Sequence, residues 1–361
     1  MKLLAKILFL LLTLFPLLSW NSAMAAESEC KASNGYGFVC GPKNAEDLVL
    51  IPGTDWIIAS GYAAGGGIYL VNSKARTWNR IYPSSMTRIR QDMAVYGACP
   101  GSPDPDNFQS HGLNIRPGED GHSTLYAVSH GGREAIEVFD VEAIGSLPVF
   151  TWIGCVMMPD GTAANSVASF SDGSLVATVL VMPGKSAKDS AAGISTGAVY
   201  QWSPGDAGFE LIRGSELPAN NGIAVSADGK EMYVVSSGLS TIIAFSHSNP
   251  TIPLRTTRRL PITPDNVHMG SDGRLITAGM MNEDKTCGSI KDPAIFDLEK
   301  IAACSRPMMA FTIDPETMLD TELMRGPADP SFSNATTALP VGNEIWIGTF
   351  SSDRIGYRSR E

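Results

Sequence analysis

One pattern of apolar and polar positions recurs six times along the chain. It is an alternating apolar stretch, a turn, a second apolar stretch, then glycine or a small polar residue. The copies run over 47–61, 112–130, 166–178, 222–235, 266–279 and 337–348. Asp172-Gly173, Asp228-Gly229 and Asp272-Gly273 sit between the two stretches of three copies. Asp-Gly supplies the positive φ of a tight turn, so each copy predicts a β-hairpin. Most copies are followed by another short strand with an aromatic residue, as at 67–71, 136–139, 197–202, 242–245 and 309–313. Three or four strands per unit, repeated at roughly 45 to 70 residues, is the signature of propeller blades. The expectation is an all-β chain, a six-bladed β-propeller in one domain. A large β-sandwich would not require six similar hairpins, each preceded by a polar residue. No convincing amphipathic helical stretch interrupts the series.

In a propeller the innermost strand of each blade starts near one mouth of the central channel. Residues just before those strands are distant in sequence and converge in space. That position holds Glu46, His111, Asn165, Asn221, Asp265 with Asn266, and Asn334. Taken singly, Asn and Asp are ordinary turn residues. Their return at one repeat position points instead to a site of hard oxygen donors. Such a set suits calcium, which takes six to eight oxygen ligands.

The motifs Asn44-Ala-Glu-Asp47, Ser110-His-Gly112, Ala127-Val-Ser-His130, Ala164-Asn-Ser-Val167, Ala219-Asn-Asn-Gly-Ile223 and Pro264-Asp-Asn266 resemble, in order and spacing, those of the paraoxonase/arylesterase family. That family lies within the gluconolactonase superfamily (senescence marker protein/regucalcin-like), which also includes strictosidine synthase. The resemblance spans nearly the whole chain after the N-terminal segment. It implies that Glu46, Asn165, Asn221, Asp265 and Asn266 hold a catalytic calcium ion. It implies that His111 and His130 form a pair that activates water, and that the substrate is a small-molecule lactone or (aryl) ester. Three departures accompany it, one being that the family keeps a hydrophobic N-terminus as an anchor where this chain carries a cleavage pattern at Ala23-Met24-Ala25. The family's second, structural calcium uses the acid equivalent to Asp47 and another that follows the blade-three asparagine, where this chain has Ser166. The family's disulfide between the termini has no counterpart, because residues 356–361 lack cysteine.

The chemistry at neutral pH follows from these residues. A bound calcium would polarise the scissile carbonyl and stabilise the developing oxyanion. His111 is the first candidate base, since an imidazole near its free pKa can take a proton from water. His130 would orient or relay, with Glu46 or Asp265 as rival bases and His268 as a pocket-lining candidate. P-loop and His-Glu-x-x-His patterns are absent from the sequence. Long inserts at 84–108, 182–196 and 280–303 are expected to line the mouth, with Met157-Met158 and Met280-Met281 as apolar wall or core.

The ends and the charge add the compartment. Lys2 and Lys6, an apolar run over 7–18, and Ala23-Met24-Ala25 form a secretory signal peptide pattern over 1–25. Cleavage after Ala25 leaves residues 26–361 as the domain, with no stable membrane anchor, secreted or periplasmic. Six cysteines fit disulfides in such a compartment; the sequence does not choose among the fifteen pairings, and proximity alone suggests Cys30–Cys40, Cys99–Cys155 and Cys287–Cys304. The net charge is −10, and −12 once Lys2 and Lys6 are removed. An acidic chain repels phosphate backbones, so nucleic acid is not expected as a partner. Two alternatives to a hydrolase remain: a non-catalytic ligand- or protein-binding propeller with a structural calcium, and a condensing enzyme like strictosidine synthase.

Overall fold

The computed structural model describes residues 30–360. The signal peptide expected over 1–25 lies outside the described residues. The repeated turns form as their residues dictate. Gly173, Gly229 and Gly273 take φ of +89°, +70° and +76°. The carboxylates of Asp172, Asp228 and Asp272 each accept from the backbone N–H two residues on, at 2.9, 3.2 and 3.1 Å. Asp closes the turn with its side chain while Gly supplies the left-handed backbone.

Each hairpin is the inner half of an antiparallel sheet, and there are six such sheets. The innermost strands of blades 1 to 6 are Leu48–Leu50, Gln109–Pro117, Ala164–Ser169, Asn220–Val225, Ile262–Met269 and Ala335–Val341. Each packs against the innermost strands of the blades on both sides, which makes the ring. Blade 2 gains a fifth strand, Thr87–Ile89, running parallel to Phe150–Trp152.

The expected apolar alternation holds less well in the second strands. Leu175–Val179 is buried at every residue and Glu231–Ser236 at all but the first. Both faces of each sheet are covered by neighbouring blades, so a continuous apolar run is the fitting pattern. Leu48, Ile57 and Tyr69 of blade 1 pack with Trp346 and Ile355 of blade 6. Val235 and Ile242 of blade 4 pack with Val267, Leu275 and Ile313 of blade 5. Fully burying one such aliphatic side chain is worth about 1.5–3 kcal/mol.

The ring closes with a strand from the other end of the chain. Gly37–Cys40 is the outermost strand of blade 6 and pairs antiparallel with Arg354–Tyr357. The three disulfides are Cys30–Cys40, Cys99–Cys155 and Cys287–Cys304, the pairing expected from proximity. Cys30–Cys40 anchors the closing strand locally, without a bond to the C-terminus.

Among the described residues, helix is confined to the inserts. Helix α1 (Ala187–Ala191) starts with a capping box at Ser186, and α2 (Leu298–Ala303) starts at Asp297. The Cys287–Cys304 bridge spans α2, and the buried Arg306 donates to the carbonyls of Met281, Cys287 and Gly288. Among the described residues no helix is long and apolar enough to cross a membrane.

Candidate active site

The inner strands depart from regular pairing at one place, and that place is where the predicted site residues sit. The ladder shifts between Ser110 and Leu113, Ala164 and Val167, Asn220 and Ile223, Pro264 and Val267, and Ala335 and Thr337. His111, Asn165, Asn221, Asp265, Asn266 and Thr336 all lie inside these irregularities. A bulge re-aims side chains that the pleat would send to a sheet face. Here the bulges sit between sheets packed on both faces. Glu46 comes from the segment just before blade 1.

Threonines hold the bulged backbone. Thr277 Oγ1 donates to Asn266 O at 2.7 Å, Thr336 Oγ1 to Glu46 O at 2.5 Å, and Thr178 Oγ1 to Asn221 O. Gly112 and Gly222 permit close approach of adjacent inner strands. A Cβ on Gly222 would lie 2.5 Å from Val267 N and 2.6 Å from Asp265 O.

Glu46, His111, Asn165, Asn221 and Asp265 line one cavity of about 420 Å³. Asn266 joins them through Glu46: its Nδ2 donates to Glu46 Oε1 at 2.6 Å. Asn221 Nδ2 donates to Ser237 Oγ at 3.0 Å. With these nitrogens engaged, the oxygens are left over. Glu46 Oε2, Asn165 Oδ1, Asn221 Oδ1 and Asn266 Oδ1 are buried without a hydrogen-bond partner. A buried polar atom left unpaired costs about 1–3 kcal/mol, more if charged. Four such acceptors, drawn from blades 1, 3, 4 and 5, call for a cation.

The carboxylates report the same stress. Burial raises Glu46 well above the usual carboxyl range, and Asp265 and Asp47 add to it. Burial raises Asp265 to about 7 against the lowering effect of Asn221. Carboxyls held this way carry their charge only if a positive group arrives. Two carboxylates and three amide oxygens form a hard, flexible donor set that fits calcium. Among the described residues no group of three or more His, Cys, Asp or Glu is arranged to hold a metal, so the set depends on the amides.

The two predicted histidines meet. His111 Nδ1 lies 3.1 Å from His130 Nε2, and His130 Nδ1 lies 2.6 Å from Glu134 Oε2. With both imidazoles neutral, one proton arrangement satisfies these contacts. His130 donates through Nδ1 to Glu134 and accepts at Nε2 from His111 Nδ1. His111 Nε2 is then a free lone pair facing the cavity, 3.7 Å from Glu46 Oε2. Burial, then the neighbouring His130, push the His111 pKa well down, which keeps the ring neutral. Tyr62 stacks on His111 with centroids 4.1 Å apart and fixes the ring plane.

Residues 115–286 match the SMP-30/Gluconolactonase/LRE-like region. That stretch, just under half of the chain, runs from the inner strand of blade 2 into the insert of blade 5. Together with the six-bladed ring it supports the gluconolactonase-like superfamily; the arylesterase branch is not singled out. Two solved structures share the fold. A gluconolactonase from Xanthomonas campestris superposes with a TM-score of 0.53 at 13% identity, covering 90% of this chain and 89% of that one. A luciferin-regenerating enzyme superposes with a TM-score of 0.52 at 12% identity, covering 90% and 93%. No curated protein matches the sequence.

Several residues of the site were not singled out by sequence reasoning. Glu134 follows His130 by four positions in a turn, and nothing in the local pattern marks it. Tyr62 and the threonines act across blades, a relation no repeat position reveals. Asn334 shares the repeat position but turns away: its Nδ2 donates to Ala302 O and its Oδ1 accepts from Arg306 N. Met280 lines the cavity, whereas Met158 is core and Met157 packs against it.

Asp47 and His268 form a separate buried pair. Asp47 Oδ1 lies 2.7 Å from His268 Nε2 and also accepts from Leu48 N, while Oδ2 accepts from Leu113 N. Burial lowers the His268 pKa, but the adjacent Asp47 more than compensates and the net shift is upward. Both oxygens of Asp47 are therefore occupied, Oδ1 by His268 and Leu48 N and Oδ2 by Leu113 N. This is the carboxylate that the family resemblance associates with a second calcium.

Proposed function

We propose that this protein is a calcium-dependent hydrolase of lactones or (aryl) esters, acting in a secreted or periplasmic setting. The observation that carries the proposal is the convergence of four unpartnered buried oxygens beside the free Nε2 of His111. Glu46, Asn165, Asn221, Asp265 and Asn266 would hold the ion. When bound, calcium supplies Lewis acidity toward the substrate's carbonyl oxygen.

The chain's own residues do the rest. His111 Nε2 takes a proton from water as the water oxygen bonds to the carbonyl carbon. The resulting imidazolium returns the proton to the departing alkoxide as the acyl–oxygen bond breaks. His130 and Glu134 hold the tautomer in which Nε2 is the acceptor. Tyr62 keeps the ring from rotating. Leu180, Val181, Met280, Ile290 and Phe296 form an apolar wall that keeps bulk water from the reacting bond. The three disulfides suit an oxidising compartment.

The test is an assay of the protein against γ- and δ-lactones and aryl esters, with calcium and with a chelator. Turnover should require calcium. Asp265→Ala should abolish it, and His111→Gln should lower kcat by about 10²–10⁴-fold, the usual contribution of a positioned base. Should no substrate turn over while chelation merely lowers Tm, a binding propeller with a structural ion becomes the reading.

A further inference from the structure

The hydrolytic machinery leaves one charged group in the cavity wall unused. Lys291 comes from the insert between the second and third strands of blade 5 and lines the same cavity as Glu46, His111 and Asp265. Its ammonium donates to the carbonyl of Ser237. Among the described residues it has no other hydrogen bond and no carboxylate within ion-pair distance. A partly buried cation without a counter-ion is costly, and the cost is relieved when an anion arrives from outside.

A second cavity of about 600 Å³ lies on the far side of Lys291. The two cavities share Ala191, Gly238 and Lys291, so the lysine stands in the wall between them. Arg259 lines the second cavity and, among the described residues, makes no hydrogen bond or ion pair of its own. Burial, then the charge of Arg259, pull the Lys291 ammonium down to about 7. One cavity wall thus holds the carboxyls of Glu46 and Asp265 and, one residue removed from Asn221 through Ser237, the ammonium of Lys291.

We infer that Lys291, backed by Arg259, is a subsite for a carboxylate that the substrate carries in addition to the bond that is cleaved. The ammonium, which has no carboxylate partner among the described residues, receives the anionic substituent. A substrate of this class is a lactone or ester bearing a tethered carboxylate. The inference rests on the hydrolase reading for what lies at the other end of the molecule.

The experiment compares γ-lactones bearing a carboxylate on tethers of graded length with their isosteric carboxamides, using the calcium-supplemented protein. For at least one tether kcat/KM should favour the carboxylate by roughly ten- to a hundredfold, the worth of a hydrogen bond to a charged group. Lys291→Gln keeps a donor for Ser237 O and removes the charge. It should erase the preference through KM while leaving the carboxamides within about twofold. Lys291→Arg should retain most of the preference. A preference that survives Lys291→Gln, or a loss that falls equally on both members of each pair, overturns the subsite. Glutarate binding by calorimetry reads the subsite without turnover. Lys291-dependent glutarate binding with no lactone hydrolysed would sink the hydrolase reading and keep the anion subsite. Hydrolysis without any Lys291-dependent discrimination or binding would do the reverse, and absence of both would sink the two together.

Discussion

At the scale of single residues, function turns on which atoms are left without partners. Asn165, Asn221 and Asn266 could each have served as turn residues. Instead the amide nitrogens of Asn221 and Asn266 are committed to Ser237 and Glu46, and the amide oxygens of all three are left bare. The histidine pair is set by the same accounting. Glu134 takes the Nδ1 proton of His130, and the consequence passes through two rings to His111 Nε2. Glu134→Ala removes that acceptor and should lower kcat by up to about a hundredfold, the low end of a general base's contribution. Glu134→Gln keeps an acceptor oxygen and should recover much of the loss. Tm should move little in either variant, because the Glu134 side chain is 38% exposed. A fall in Tm that parallels the fall in kcat would assign Glu134 a structural role instead.

At the scale of elements, the decisive feature is the bulge repeated near the start of five inner strands. A regular strand would place alternate residues on opposite sheet faces, and both faces here are covered by neighbouring blades. The bulges re-aim those residues, and threonines from nearby strands hold the displaced carbonyls. Gly222 shows how little room this leaves. Its absent side chain accommodates the backbone of Asp265–Val267 in the next blade. Gly222→Ala should cost about 1–3 kcal/mol by overpacking against backbone that cannot swing aside. It should also weaken calcium binding, since Asp265 and Asn266 must shift to admit the methyl group. A variant with wild-type Tm and calcium affinity would show that the blades are less tightly seated than the contact distances indicate.

At the scale of the whole molecule, the candidate donors tie the ring together from within. Glu46, Asn165, Asn221, Asp265 and Asn266 belong to blades 1, 3, 4 and 5, so one ion would cross-link most of the propeller. Calcium bound only by the folded ring adds to stability by mass action. The pH dependence has a definite sign. Without the ion, Glu46 is raised and Asp265 titrates at about 7 in the folded chain. Unfolded carboxyls titrate near 4. Between those values the folded form holds protons that the unfolded form releases, so metal-free stability falls as pH rises. Ion binding requires the same carboxyls ionised and strengthens with pH. The Tm gap between calcium-loaded and chelated protein should thus be wider at about pH 7.5 than at about pH 5.5, by roughly 5 °C or more. A gap that is constant with pH would remove these two carboxylates from the binding site.

Proximity only suggested the disulfide pairing, whereas the six hairpins, the Asp-Gly turns of three of them and the convergence of the Asn, Asp and His positions were legible in the sequence. All follow from local rules: turn chemistry, apolar runs, and a repeat that places equivalent residues at equivalent points. The closing strand Gly37–Cys40, the Glu134 and Tyr62 supports, the pairing of Asp47 with His268, the turning away of Asn334 and the position of Lys291 between two cavities were not. Each depends on contacts between blades or on how an insert folds back, and no periodicity records such contacts. The repeat determined that equivalent positions of successive blades would meet. Tertiary packing decided which oxygens were left without partners there, because burial closes off water and makes every unpaired atom count.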